Sequence, residues 1–373
     1  MKSRWMRLAG IVLAAAALVA ACDFTEKEEE GTYKYFVLVA NAAAGKLSVY
    51  SMNSSSGALK EVTGSPYTVG AEPQSVAVDP TGQYVYVANY FSDSISAFAI
   101  DPATGELATV TGSPFSAGFG PYAITVEPTG KFAYVANADG GDVWPYLIDP
   151  DTGALAPYSG LAADSAVHPS SVVTDPAGQF LYVANEYSGT VSAFAIDIAS
   201  GELTAIAGSP FATVGYVKTV AMDPEGRFLY AANDTTRNVS AYTIDAATGA
   251  LSVVPGSPFL AGHNAQSVTV DPTGAFAYVG NWGSSSISAF AINQDTGALS
   301  SISGSPFAGS AAPSALAVDP QGKYLCVANY WSDSVSVFAV NAASGSLAEL
   351  AGSPYAAAEE GHPSAIAVIR IAQ

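Results

Sequence analysis

Stretches in which both alternating sets of side chains are apolar recur along this chain, and Tyr84-Val85-Tyr86-Val87-Ala88-Asn89 is typical of them. A strand with one face in water alternates apolar and polar residues, so two apolar faces call for packing on both sides. Near-copies end at Asn41, Asn89, Asn137, Asn185, Asn233, Asn281 and Asn329, each 48 residues beyond the last. Between copies, the runs Ser75 to Val78, Ser94 to Ile100 and Leu107 to Thr111 are separated by turn signals. Asp79-Pro80-Thr81-Gly82 suits a type I turn, with Pro at i+1 and Gly at i+3, and Asp101-Pro102-Ala103-Thr104-Gly105 closes on a Gly able to take positive φ. Each unit therefore predicts four short antiparallel strands. Gly112-Ser113-Pro114-Phe115 then leads from the outer strand toward the next unit.

A β-rich repeat of about 40 to 50 residues is the signature of a ring of blades. The prediction over residues 33–373 is an all-β, seven-bladed β-propeller of four-stranded blades. The chain enters the ring in a second strand, Phe36 to Ala40, and leaves it in an inner strand, Pro363 to Val368. The C-terminal strand should therefore join the N-terminal blade and remove an open edge. One unit departs from the rest: Gly160-Leu161-Ala162 lacks the Ser-Pro-Phe corner, and Trp144-Pro145 puts a proline inside a third strand. That blade is expected to be irregular, with the strand interrupted at Pro145. The repeated Asn is expected to end its strand by bonding into the following loop.

The first residues change the picture of where this ring resides. Lys2, Arg4 and Arg7 precede an apolar run from Leu8 to Ala21, shorter than the ~20 residues of a membrane span, and small residues lead into Cys22. Residues 1–21 read as an export signal, and Val19-Ala20-Ala21-Cys22 resembles the lipobox of bacterial lipoproteins, which implies lipid attachment at Cys22. Residues 22–32 carry Glu26, Glu28, Glu29 and Glu30 with little to bury, and read as a solvated tether. The expected location is the bacterial cell envelope, on a lipid anchor, as a monomer.

Charge narrows the partners. The chain has 13 Lys+Arg against 32 Asp+Glu, and removal of the leader takes three cations and no acid. Nucleic acid is not expected, because it demands a basic patch. With Cys22 acylated, Cys326 has no partner and reads as a small buried apolar residue.

Candidate chemistry belongs to the face whose loops vary in sequence. Lys218 is the one basic residue where an inner strand begins, with Tyr122 and Tyr216 at comparable corners, and it suits an anion at the channel mouth. His168, His263 and His362 each precede an inner strand but come from three different blades, so no metal site is expected from them. Tyr90, Phe91, Tyr187, Trp282, Tyr330 and Trp331 follow the repeated Asn and suit a glycan or protein contact, or caps on blade ends. Asn137-Ala138-Asp139-Gly140-Gly141-Asp142 lacks the remaining ligands of a calcium loop and reads as a polar turn. No cofactor is expected.

Tyr-Val-Ala-Asn, Asp-Pro-Thr-Gly and Gly-Ser-Pro-Phe, repeated from Tyr33 to Ile369, resemble the YVTN-type β-propellers and the related seven-bladed lactonases of the 6-phosphogluconolactonase-like and muconate-cycloisomerase-like kinds. The resemblance implies lactone chemistry by His, Arg and acidic groups at the channel mouth, often as Pro-Arg-His where an inner strand begins. Here those places read Pro73-Gln74, Pro121-Tyr122, Pro169-Ser170, Val217-Lys218, Ala265-Gln266, Pro313-Ser314 and Pro363-Ser364, and none carries Arg-His. The first expectation is accordingly a binding module that uses its loop face. The alternatives are a divergent lactonase built on Lys218, a histidine and an acid, and a structural envelope protein.

Overall fold

A computed structural model describes residues 33–158, 163–309, 311–358 and 360–373. The export signal, Cys22, the tether and the irregularity expected at Gly160 lie outside them. The described chain is seven antiparallel sheets arranged as the blades of a propeller, with two single 3-10 turns, Tyr90–Ser92 and Trp282–Ser284, as its helical content.

The second blade shows the common plan. Its inner strand Pro73–Val78 pairs with the second strand Tyr84–Asn89, which pairs with the third, Ser94–Ile100. The outer strand comes in two pieces, Leu107–Thr109 opposite the end of the third strand and Phe115–Ser116 opposite its start. The break is the Ser-Pro corner, which therefore belongs to the blade's outer edge and not to the crossing into the next blade. There the Ser113 hydroxyl takes the place of a strand carbonyl and accepts the Ala97 N–H at 2.8 Å. Five other blades repeat this bond, at Ser65, Ser209, Ser257, Ser305 and Ser353, and in all six the Ser-Pro peptide is cis.

The third blade explains its own exception. The residue equivalent to Ala97 is Pro145, which has no N–H to offer, and the residue equivalent to Ser113 is Leu161. Donor and acceptor have been lost together. Contrary to expectation, the third strand Asp142–Ile148 is not interrupted, and Pro145 sits in register opposite Tyr134. In the other blades the equivalent N–H points to the outer edge, away from the second strand, so a proline here leaves the ladder to the second strand intact.

In six blades the second strand is buried along its whole length, as two apolar faces require, and in the first blade it is buried from Tyr35 onward. Neighbouring blades share one core: Tyr86 and Ala88 of the second blade pack with Ala133 and Val135 of the third. The Tyr86 hydroxyl crosses the interface and donates to the Gly153 carbonyl at 3.0 Å, and four further tyrosines do the same one blade on. Cys326 stands at this position in the seventh blade, fully buried, and burial raises its thiol far above the usual range. The turn glycines fit the same interface. Gly105 has φ +78°, and a Cβ there would lie 2.3 Å from the Phe36 ring of the previous blade.

The side chain of the repeated Asn bonds across to the third strand and not, as expected, into the following loop. Asn89 Nδ2 donates sideways to the Ser96 hydroxyl on the third strand at 3.0 Å, and Asn41, Asn185, Asn233, Asn281 and Asn329 do the same to their own serines. These amides are fully buried, so a side-chain partner is needed where no water reaches. In the third blade Trp144 replaces the serine, and Asn137 donates to Asp142 instead.

The ring closes as expected. Pro363–Ala372 pairs along Tyr33–Asn41, which makes it the inner strand of the first blade.

Candidate functional site

Seven inner strands surround a central cavity of about 360 Å³ at one face of the disc. Each inner strand carries a bulge at its second residue: Pro73 pairs with Asn89 and Ser75 with Ala88, leaving Gln74 between them unpaired. The same slip frees Tyr122, Ser170, Lys218, Gln266, Ser314 and Ser364. A bulge turns its extra side chain away from the pleat, and all seven of these residues line the cavity. The mouth is thus a ring in which one residue per blade is free of the core.

Two further rings stand above it. Glu72, Gly120, His168, Asn264, Ala312 and His362 precede inner strands in the left-handed backbone region, at φ +47° to +62°. Their carbonyls accept the N–H of the residue after the repeated Asn, as the His168 carbonyl does from Glu186 N–H at 2.9 Å and the Glu72 carbonyl from Tyr90 N–H. The residue after the Asn therefore projects over the mouth beside the next blade's freed residue.

These rings bring Lys218, Glu186 and His168 together. Lys218 Nζ lies 2.9 Å from Glu186 Oε2, and His168 Nδ1 lies 3.1 Å from the same oxygen. All three are largely buried, with side chains 16%, 10% and 13% exposed. Tyr122 covers the ammonium at 4.7 Å from its ring centre and meets the His168 ring edge-on. Tyr187 also lies against that imidazole, at 4.4 Å between ring centres, and touches Tyr216. Burial by itself raises the Glu186 carboxyl, but His168 and Lys218 outweigh it and hold the group below the usual carboxylate range. Burial likewise lowers Lys218, and Tyr122 and Glu186 more than reverse that.

The other expected residues divide into two groups. Tyr90 joins this side of the mouth, edge-on to Tyr122 and donating to Asp139 Oδ1 at 3.0 Å. Trp282, Tyr330, Trp331 and His362 form a separate aromatic cluster over the sixth, seventh and first blades, where His362 stacks on Tyr330 at 4.6 Å. Trp282 and Tyr330 reach the central cavity, while Trp331 is 59% exposed. His263 is exposed and meets neither group. The three histidines do not converge, and no cluster of metal-ligating side chains occurs among the described residues. In the Asn137–Asp142 turn both carboxylates are engaged, Asp139 by Tyr90 and Asp142 by Asn137 and Trp144.

Two acidic residues escaped the sequence reading. Glu186 occupies the position after the repeated Asn, which drew attention only for its aromatics. The ring spacing reveals it: 18 residues separate His168 from Glu186, and 32 separate Glu186 from Lys218, as 32 separate the touching pair Tyr90 and Tyr122. Glu72 has a buried Oε2 without a hydrogen-bond partner, and burial raises its carboxyl.

With the mouth in view, comparison with known proteins becomes informative. The family described as Lactonase, 7-bladed beta-propeller matches in overlapping segments, residues 31–118, 65–168, 109–219, 161–258 and 253–361. The chain belongs to this lactonase family. A search of curated proteins finds no match. Among solved structures, a protein of Bacteroides uniformis ATCC 8492 provisionally described as a 6-phosphogluconolactonase superposes with TM-score 0.78 at 19% identity, over 91% of this chain and 100% of its own. A similarly described protein of Bacteroides fragilis NCTC 9343 gives 0.78 at 21% identity, over 90% and 98%. A periplasmic gluconolactonase of Pseudomonas aeruginosa gives 0.74 at 20% identity, over 90% and 99%. At these identities the likeness is one of fold.

Proposed function

We propose that this lactonase-family propeller hydrolyses a sugar-type lactone at the channel mouth. The observation that carries the reading is the buried Lys218–Glu186–His168 cluster beside the cavity. It turns the preference away from a pure binding module. The Glu186 carboxylate stands 3.1 Å from Nδ1 of His168, not aligned as a hydrogen bond, and its charge there favours a proton on Nδ1, the tautomer whose Nε2 lone pair is basic. A water that gives its proton to Nε2 attacks the lactone carbonyl carbon, and its oxygen becomes bonded there. Lys218 and the Tyr122 hydroxyl stabilise the negative charge that gathers on the carbonyl oxygen. Collapse breaks the bond from acyl carbon to ring oxygen, and the proton held on His168 passes to that oxygen, giving the hydroxy acid. Glu186 touches no substrate and acts by positioning.

Turnover of a panel of δ- and γ-lactones by the purified full chain tests this reading. Hydrolysis of at least one above its spontaneous rate is expected, and a panel with no enzymatic rate overturns it. A binding module remains the second reading, supported by the exposed rings of Trp331 and Phe91 at the rim. Glycan arrays probed with wild type and Trp331→Ala distinguish it, since recognition lost in the variant without any lactone turnover favours binding. The leader sequence supports export and lipid attachment at Cys22, which fatty-acid labelling lost in Cys22→Ser would test.

A further inference from the structure

The charge balance of the mouth bears on what kind of lactone fits it. Among the described residues lining the central cavity, Lys218 is the sole cation, and its charge is already matched by Glu186 at 2.9 Å. Nearby acids add to the negative side. Glu72 holds an unpartnered carboxylate oxygen in the groove shared with Phe91 and Tyr330, where Lys46 is the one cation among the described lining residues and is bonded to Thr68. The whole chain carries a formal charge of −19. A phosphate dianion here would meet no unpaired cation and would be repelled by the surrounding field.

What the cavity does offer is neutral. The Gln74 and Gln266 amides, freed by their bulges, line it without a hydrogen bond to the described protein. Each amide supplies two donors and an acceptor oxygen, which suits the hydroxyls of a polyol. Ser314 and Ser364 spend their protons on the Pro363 and Pro73 carbonyls and keep their lone pairs for a hydroxyl donor. Trp282 and Tyr330 add aromatic faces to the same wall, the surface against which the C–H face of a sugar ring packs.

Resting on the lactonase reading above, we infer that the site selects an uncharged polyhydroxy lactone and discriminates against its phosphorylated counterpart. The tests are hydrolysis of glucono-δ-lactone and 6-phosphoglucono-δ-lactone, and calorimetric binding of gluconamide and its 6-phosphate, by wild type and Gln266→Arg. For wild type, kcat/KM is expected to be about tenfold or more higher for the neutral lactone, with gluconamide binding more tightly than its phosphate. Gln266→Arg, which adds an unpaired cation at the mouth, should narrow both gaps. Equal or better hydrolysis or binding of the phosphorylated compounds by wild type overturns the selectivity. If neither lactone is hydrolysed, the lactonase reading fails on its own, and the binding arm still decides the selectivity.

Discussion

Glu186 shows how one carboxylate organises the mouth. It faces two nitrogens within about a hydrogen bond's length and is almost fully buried, so removing its charge leaves Lys218 without compensation. Glu186→Gln should destabilise the fold by about 3 kcal/mol near neutral pH, since deletion of one member of a buried pair leaves the other desolvated. The pH dependence has a fixed sign. The depressed Glu186 carboxyl contributes stability above its unfolded value, near pH ~4.3, and loses it as pH falls through the lower folded value. The raised Lys218 contributes below its unfolded value, near pH ~10.4, and loses it only above that. Urea unfolding of wild type and Glu186→Gln should therefore differ most between these limits, and the difference should shrink as acid takes the pH below the depressed Glu186 value. A difference that does not shrink at all on acidification would count against an ion-pair origin. Little of this residue's role was legible in the sequence. Lys218 and His168 stood out as rare residue types, but Glu186 is one of many acids and gains meaning only from two neighbouring blades.

At the scale of the element, the blade was legible almost throughout because its signals are local. Two-sided apolar strands, Asp-Pro-Thr-Gly turns and turn glycines lie within a few residues of what they determine. Asp79 illustrates the point: its carboxylate accepts the N–H of Thr81, Gln83 and Tyr84 and so ties the turn to the start of the second strand. The outer edge was less legible, since the Ser-Pro corner bonds across 16 residues to the third strand. Ser113→Ala should cost about 1–3 kcal/mol by leaving the Ala97 N–H without an acceptor, read as a lower urea midpoint with unchanged slope. The third blade supplies the control, because Pro145 needs no such acceptor. A neutral Ser113→Ala would mean that the corner is held by packing alone. Pro145 itself shows why a proline rule needs topology: it excludes a ladder donor only on the side where one is required.

The whole molecule is a ring closed without covalent linkage, by pairing of Pro363–Ala372 with Tyr33–Asn41. Removal of residues 363–373 exposes the edge of Tyr33–Asn41 and uncovers Ile371's place in the core shared by the first and second blades. The loss should reach on the order of 5 kcal/mol and lower the unfolding midpoint of all blades together. Unfolding confined to the first blade would show instead that the blades are independent units. The same ring creates the site, because bulges at one position in seven inner strands aim seven unlike side chains at one cavity. Repetition thus made the fold readable and the site hard to read, since the chemistry lies in the places where the repeats differ. Those differences place Lys218 and His168 on one acid and leave His263 apart. The most direct test of this account is the initial rate of glucono-δ-lactone hydrolysis, followed by proton release, for wild type, His168→Gln and Lys218→Met, with folding checked by circular dichroism. The account predicts turnover by wild type and a fall of about 100-fold or more in each folded variant, the scale of losing an acid–base or oxyanion-stabilising group. Turnover unchanged in both variants, or absent from wild type, would contradict it.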